Sequence, residues 1–182
     1  QVNLMSHISR ARKERGAKMI VIDPYRTPTA RQGDIHIRPR PGTDAALACA
    51  VMHILFRDGH ADRAYMAEFT NDADLLEAHL ESRGPGWASE ITGIPVEEIE
   101  ALARDYGVTD RAIIRLGYGF SRSRNGSSGL HAVSCLPAVK GAWKHRGAGL
   151  YGSIGNNFNV NTSLVTGIDD PDVRRLDMSR LG

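Results

Sequence analysis

Two carboxylates stand where an α/β chain would present them to a ligand. Asp23 closes the apolar run Lys18–Ile22, and Asp44 follows the Pro41-Gly42-Thr43 turn at the start of an apolar helical pattern. An acid at the carboxyl end of a parallel strand can accept two hydrogen bonds from a ribose diol, because open α/β sheets bind ligands outside that edge. Asp23 can equally cap the turn it makes with Pro24. Asp44, when ionised, is an acceptor-only group with two oxygens, so it matches the paired N1–H and N2–H donors of guanine and repels the acceptor at adenine N1. Its competing role is a first-turn acid that complements the helix dipole. Gly42 serves either as a left-handed turn residue or as a point of close backbone approach, and spacing does not separate the two.

Other reactive residue types are spaced for packing. His53 and His60 lie seven apart with Gly59 between them and no third ligand at useful spacing, so they read as ordinary histidines. His131 and His145 flank the second glycine-rich region, where either could approach a ligand. Cys49 and Cys135 are isolated and lie in predicted helices, fitting no disulfide framework, zinc site or iron–sulfur spacing; they read as buried free thiols. Trp87 and Trp143 read as packing residues. The segment GYGFSRSRNG has G-x-G without the third glycine at the required offset, so it is no nucleotide fingerprint by itself.

These residues need elements to position them. Leu4, Ile8 and Ala11 recur at helical spacing up to Gly16, which predicts an amphipathic helix over 3–15. Lys18–Ile22 reads as a short, fully buried parallel strand. Ile35 and Ile37 alternate with polar neighbours as a second strand. Leu47, Ala50, Val51, Ile54 and Leu55 mark a helix with Thr43 as N-cap and Gly59 as stop. Shorter helices cover Asp62–Phe69 and Asp72–Ser82, and another starts at Pro95 with Ile99, Leu102, Ala103 and Tyr106 inward. Arg111–Leu116 returns to strand character, Gly117, Gly119, Gly126 and Gly129 punctuate the segment after it, and a helix over about Leu130–Trp143 is kinked by Pro137. Beyond Gly147 the periodicity fades. The order is α/β: a Rossmann-like parallel sheet flanked by helices, then the start of a second α/β segment. A dinucleotide fold also needs a strand and a glycine-rich turn before the first helix, yet the chain opens inside that helix, so it reads as an internal piece.

Composition limits the function classes. The 182 residues are 41% hydrophobic and 24% charged, enough to bury a core without disulfide or metal staples. The formal charge of +2 offers no strong field for nucleic acid, even with a pI near 8.7. Arg10, Arg12, Lys13 and Arg15 spread around a solvated helix face, and aromatics for base stacking are few. No apolar stretch reaches membrane-spanning length, and no signal-peptide pattern opens the chain, so a cytoplasmic location is expected, with the periplasm as the alternative.

The motifs VIDPYRTPTARQGDIHIRPRPGTDAAL, ITGIPVEEIEALARDYG, RLGYGFSRSRNG and PAVKGAWKHRGAGLYG, in this order over about residues 3–155, resemble the molybdopterin oxidoreductases of the dimethyl sulfoxide reductase superfamily, which includes formate dehydrogenases and nitrate reductases. The pairing of IDPYRT with RPGTD at this separation carries most of the likeness. The resemblance implies an internal part of a large catalytic subunit whose molybdenum or tungsten is held by two molybdopterin guanine dinucleotides. Residues 1–116 would be most of a guanosine-binding α/β domain, and 117–182 the glycine-rich loop, a helix and the start of the adjoining cofactor-binding domain. Asp23, Pro24, Tyr25, Arg26 and Thr27 match the family's post-strand guanosine loop, and Gly42, Thr43 and Asp44 its guanine-contacting turn. Tyr118, Gly119 and Arg122 fall where many members read Met-Gly-x-x-Gln near the metal. Arg122 departs from that glutamine, leaving open a contact to an anionic substrate, to a pterin phosphate or to solvent.

The resemblance also implies what lies elsewhere. Metal ligand, any iron–sulfur cluster and the remaining pterin domain would belong to the N- and C-terminal domains of the same polypeptide, and an electron-transfer subunit could serve as partner. The segment itself would hold neither a metal ligand nor catalytic activity. The rival from another class is a non-catalytic Rossmann-like scaffold or interaction module derived from this family; the residues encoded before Gln1 discriminate the two.

Overall fold

The computed structural model describes residues 2–152 and Asn161. Helix α1 (Val2–Arg15) ends where Gly16, at φ +63°, turns left-handed and donates its N–H to Arg12 O at 3.1 Å. Strand β1 (Ile20–Ile22) pairs in parallel with β2 (Ile35–Ile37), in the register Ile20↔Ile35 and Ile22↔Ile37. Asp34 locks this corner: Oδ2 accepts from Met19 N at 2.7 Å, and Oδ1 pairs with the Arg12 guanidinium. Both contacts hold the Asp34 carboxyl below the usual carboxylate range, the Met19 N–H contributing most.

Helix α2 (Asp44–Arg57) is the hub. Ala46, Leu47, Ala48, Ala50, Val51, Met52, Ile54 and Leu55 are all buried, so the helix is apolar nearly all round. It packs against α4 (Ala73–Leu80), α5 (Pro85–Thr92), α6 (Val96–Val108) and α7 (Gly126–Val139). Each large aliphatic side chain buried here contributes about 1.5–3 kcal/mol. Gly59, at φ +75°, lies just past the C-cap Asp58, and α3 (Arg63–Phe69) comes next, its N-cap Asp62 accepting from Tyr65 N at 2.9 Å. His53 donates from Nδ1 to Leu80 O at 2.9 Å, tying α2 to the end of α4; His53 is a packing histidine, as its spacing implies.

After α6, β3 (Ile113–Arg115) pairs in parallel with β4 (Gly149–Tyr151), and α7 forms the crossover between them. The α/β class, with parallel strands flanked by helices, is as expected. The described residues form two separate parallel pairs, β1–β2 and β3–β4.

Several expectations need correction. Strand β1 is not fully buried: Ile22 is 44% exposed, because β1 has a strand neighbour on one side only among the described residues. Helix α5 was not expected, although Pro85 at its first turn and Gly93 (φ +74°) at its end are the usual start and stop signals. Helix α7 begins at Gly126 rather than Leu130 and ends at Val139 rather than Trp143. Its first glycines are not breakers. A Cβ at Gly126 would lie 1.7 Å from Phe120 O, so this turn is glycine because the preceding loop lies against it. Strand β4 went unseen because its identity rests on contacts; Gly149, at φ +110°, leaves no room for a Cβ beside the Trp143 indole. Cys49 and Cys135 are free but half-buried, and burial raises the pKa of both. Residues 117–152 belong to the same compact unit as the residues before them, and α7 packs on α2. The remainder of the expected second segment lies outside the described residues. No described helix is long and apolar enough to cross a membrane.

Candidate functional site

The carboxyl ends of β1 and β3 open on one side of the molecule. The Lys18 ammonium pairs with Asp105 Oδ2 at 2.6 Å, joining the approach to β1 to the end of α6, just before β3. At the other end, Asn125 Nδ2 donates to Gly42 O at 3.0 Å, joining the loop after β3 to the turn after β2. The two strands therefore run in the same direction, flanking a cavity of about 470 Å³ lined by Ile20, Ile22, Asp44, Leu47, Tyr106, Gly117 and Phe120, among others.

Asp44 is the acid in that cavity. It sits at the first position of α2, half-buried, and its carboxylate is bonded only to its own backbone N–H among the described residues. Burial raises its pKa, outweighing that bond. The turn before it is left-handed at Gly42. Gly42 has φ +79°, and a Cβ there would make only ordinary contacts with Asn125 and Ser123, so the left-handed turn is what demands glycine. Thr43 occupies the N-cap position without capping α2 through its side chain; its hydroxyl donates to Arg40 O at 2.6 Å instead.

Arg40 gave no signal in the sequence. Its Nη1 donates to Glu90 O at 2.8 Å and Ile91 O at 3.3 Å, and its backbone N–H donates to Thr92 O at 2.8 Å. It thus serves the orphan carbonyls of α5 as a cation at a helix C-terminus, anchoring the Arg40–Asp44 turn to the Ile91–Pro95 motif. Thr92, fully buried, completes the corner by donating to Ala88 O and accepting from Ile94 N.

Asp23 lies one residue beyond Ile22 and does not line the cavity. Its Oδ1 accepts from Tyr25 N at 2.8 Å, the turn-capping geometry. Its carbonyl accepts from His36 Nε2 at 2.8 Å, which fixes the proton on that nitrogen. Thr27 Oγ1 accepts from Ala30 N at 3.1 Å, capping a short 3₁₀ turn, while Pro24, Tyr25 and Arg26 are exposed. Tyr118, Gly119 and Arg122 are exposed on the 3₁₀ turn Tyr118–Arg122, with Phe120 between them turned into the cavity wall. The structure therefore joins the Gly42–Asp44 turn to the loop after β3, with Asp23–Thr27 alongside but outside the cavity.

Two further residues are informative. The Tyr106 hydroxyl and the Arg115 Nε and Nη1 are buried without hydrogen-bond partners among the described residues, and both side chains line the same cavity. His145 lies at the opposite end of α2, beside His60, Asp62 and Lys144, while His131 is exposed on α7. No group of three or more metal-ligating side chains occurs among the described residues.

The chain is 35% identical over 181 residues to a probable oxidoreductase, YoaE, of Bacillus subtilis, covering 96% of this chain and 26% of that protein. It is 34% identical over 155 residues to the dimethyl sulfoxide reductase DmsA of Escherichia coli, covering 74% and 19%. The acetylene hydratase from Pelobacter acetylenicus superposes with a TM-score of 0.73 at 28% identity, over 78% of this chain and 19% of that one. The chain thus spans about a quarter or less of the length of these relatives. The molybdopterin oxidoreductase sequence model matches residues 2–178, so the chain belongs to the molybdopterin oxidoreductase family.

Proposed function

We propose that this chain is the part of a molybdopterin-dependent oxidoreductase that holds the guanosine end of a molybdopterin guanine dinucleotide, with Asp44 reading the base. The observation that carries this reading is the Asp44 carboxylate itself: half-buried, without a side-chain partner, and facing a cavity at the carboxyl edge of parallel strands. Desolvating an acceptor that bonds only its own backbone costs stability, and a ligand offering two parallel N–H donors removes that cost. Guanine offers this pair; adenine places an acceptor there.

The surrounding residues fit the remainder of a nucleotide. Asp23 has a second carboxylate oxygen beside the exposed Tyr25–Arg26 loop, within the segment the family resemblance assigns to guanosine. Arg115 brings buried, unpaired guanidinium donors. When bound, the molybdenum or tungsten centre with its dithiolene ligands would supply the redox chemistry, and this segment contributes placement and charge. Relatives named formate dehydrogenase and dimethyl sulfoxide reductase leave the substrate class open.

The test is cofactor retention. In the intact enzyme, Asp44→Ala should weaken binding by about 2 kcal/mol, the scale of a truncated charged hydrogen bond. Guanine and molybdenum content of the purified variant should fall together. Undiminished guanine content would remove Asp44 from base recognition.

A further inference from the structure

Asn125 ends the loop after β3, and Gly126 begins α7. We propose that Asn125 is a deamidation site whose conversion to aspartate moves the side chain from the Gly42 carbonyl to the N-terminus of α7 and releases the turn before α2, a change independent of any cofactor's identity.

The reacting atoms belong to neighbouring residues. In deamidation the Gly126 nitrogen attacks Asn125 Cγ, a C–N bond forms, and Nδ2 leaves as ammonia, closing a succinimide ring. Water then opens the ring at either carbonyl, giving aspartate or an isoaspartyl link that routes the main chain through the side chain. Water is consumed and ammonia released in equal amounts, and no oxidant or partner is required. A Cβ on the residue after the asparagine crowds the attacking nitrogen, and glycine has none. Alanine would shield Asn125, but a Cβ at Gly126 would lie 1.7 Å from Phe120 O. The approach of the loop to α7 therefore keeps the reactive dipeptide in place.

The fold restrains the reaction without blocking it. Asn125 is exposed, and its amide donates to Gly42 O at 3.0 Å, while Gly126 N donates to Ser123 O at 3.2 Å. A single solvent-exposed hydrogen bond adds little net stability, so the Asn125–Gly42 contact opens by local fluctuation. Attack proceeds from the open molecules, and its rate reads how often the loop leaves the turn.

The product has a different partner. Asn125 occupies the N-cap position of α7 without capping it, and the first turn of the helix carries no acid. The N–H groups of Ser127 and Ser128 have no acceptor among the described residues. An aspartate at this position accepts from them and places negative charge at the favourable end of the helix. The same carboxylate has no N–H to give, so it faces Gly42 O as acceptor against acceptor. Both effects act in one direction: the amide ties the loop to the Gly42–Asp44 turn, and the acid caps α7 and lets the turn go.

The intact protein, kept in warm neutral buffer made with heavy-oxygen water and then digested, tests the site. The peptide containing Asn125 should gain the mass of an amide-to-acid exchange with a heavy oxygen, and part of the product should be methylated by an isoaspartyl methyltransferase. Urea-unfolded protein should convert faster. Hydrogen exchange on Asn125→Asp tests the switch: the Ser127 and Ser128 amides should exchange about fivefold more slowly than in the parent, the worth of an N-cap, and the Thr43 amide, which donates to Arg40 O, should exchange faster. Folded protein that keeps the Asn125 amide after the unfolded protein has fully converted would overturn the site. An Asn125→Asp variant with the parent's exchange at Thr43, Ser127 and Ser128 would overturn the switch of partners.

Discussion

The carbonyl of Phe120 and the α-carbon of Gly126 approach so closely that a methyl group on Gly126 would sit 1.7 Å from the Phe120 oxygen. Helix propensity favours Ala over Gly by about 1 kcal/mol, but overpacking against backbone costs typically about 1–3 kcal/mol or more, so the clash wins. Gly126→Ala should therefore lower the melting temperature and displace the Tyr118–Arg122 loop. Gly129→Ala is the control, because its Cβ would meet only the Phe120 ring edge at 3.3 Å and that ring can give way. A stabilised Gly126→Ala variant would show that the loop does not lie against α7.

Asp44 should make the cofactor-free protein less stable as pH rises. Burial raises its folded pKa, so the folded form holds a proton in a range where the unfolded chain has lost it. Fewer protons on the unfolded state mean that stability falls with pH above the ordinary carboxylate value. Asp44→Asn removes the ionisation and keeps the shape. The variant should melt higher than the parent at neutral pH, with the gap closing below the carboxylate range, even though it loses the roughly 0.3–1 kcal/mol of a first-turn acid. A gap independent of pH would rule out ionisation as its cause.

Arg122, exposed at the end of the 3₁₀ turn after β3, is proposed to face the metal cavity of the whole enzyme. A guanidinium holds a carboxylate or oxyanion in two-point contact, where the glutamine common in related enzymes offers one donor group. Arg122→Gln should raise the Michaelis constant for an anionic substrate by about tenfold, the worth of one charge-assisted contact at roughly 1.4 kcal/mol, with bound molybdenum unchanged. Metal loss that accounts for all the lost activity would instead make Arg122 a cofactor ligand.

Legibility in the sequence tracked the range of the interactions involved. Helices α1 and α2 could be read because their apolar residues repeat at helical spacing and Gly16 and Gly59 stop them. Asp44 could be placed because a turn and a helix start define it locally. Arg40 and Asn125 could not. One clamps carbonyls fifty residues away in α5, and the other holds Gly42 from eighty-three residues downstream; nothing near either residue announces the contact. Gly126 and Gly129 read as loop for the same reason: what they accommodate is Phe120, not a turn of their own. The parallel pairing of β3 with β4 likewise rests on a strand of glycine, leucine and tyrosine too short to show a period.

The central position of α2 also bears on how the chain is made. Nearly every face of this helix is covered by elements that come after it in the sequence, the last of them α7. Synthesis at about 5–20 residues per second leaves Asp44–Arg57 without its final cover for roughly ten seconds after it leaves the ribosome. During that interval a mostly apolar segment is open to solvent and to other nascent chains, a natural target for a holding chaperone. Slowing translation between residues 57 and 139 should therefore cost more soluble protein than slowing it after residue 152.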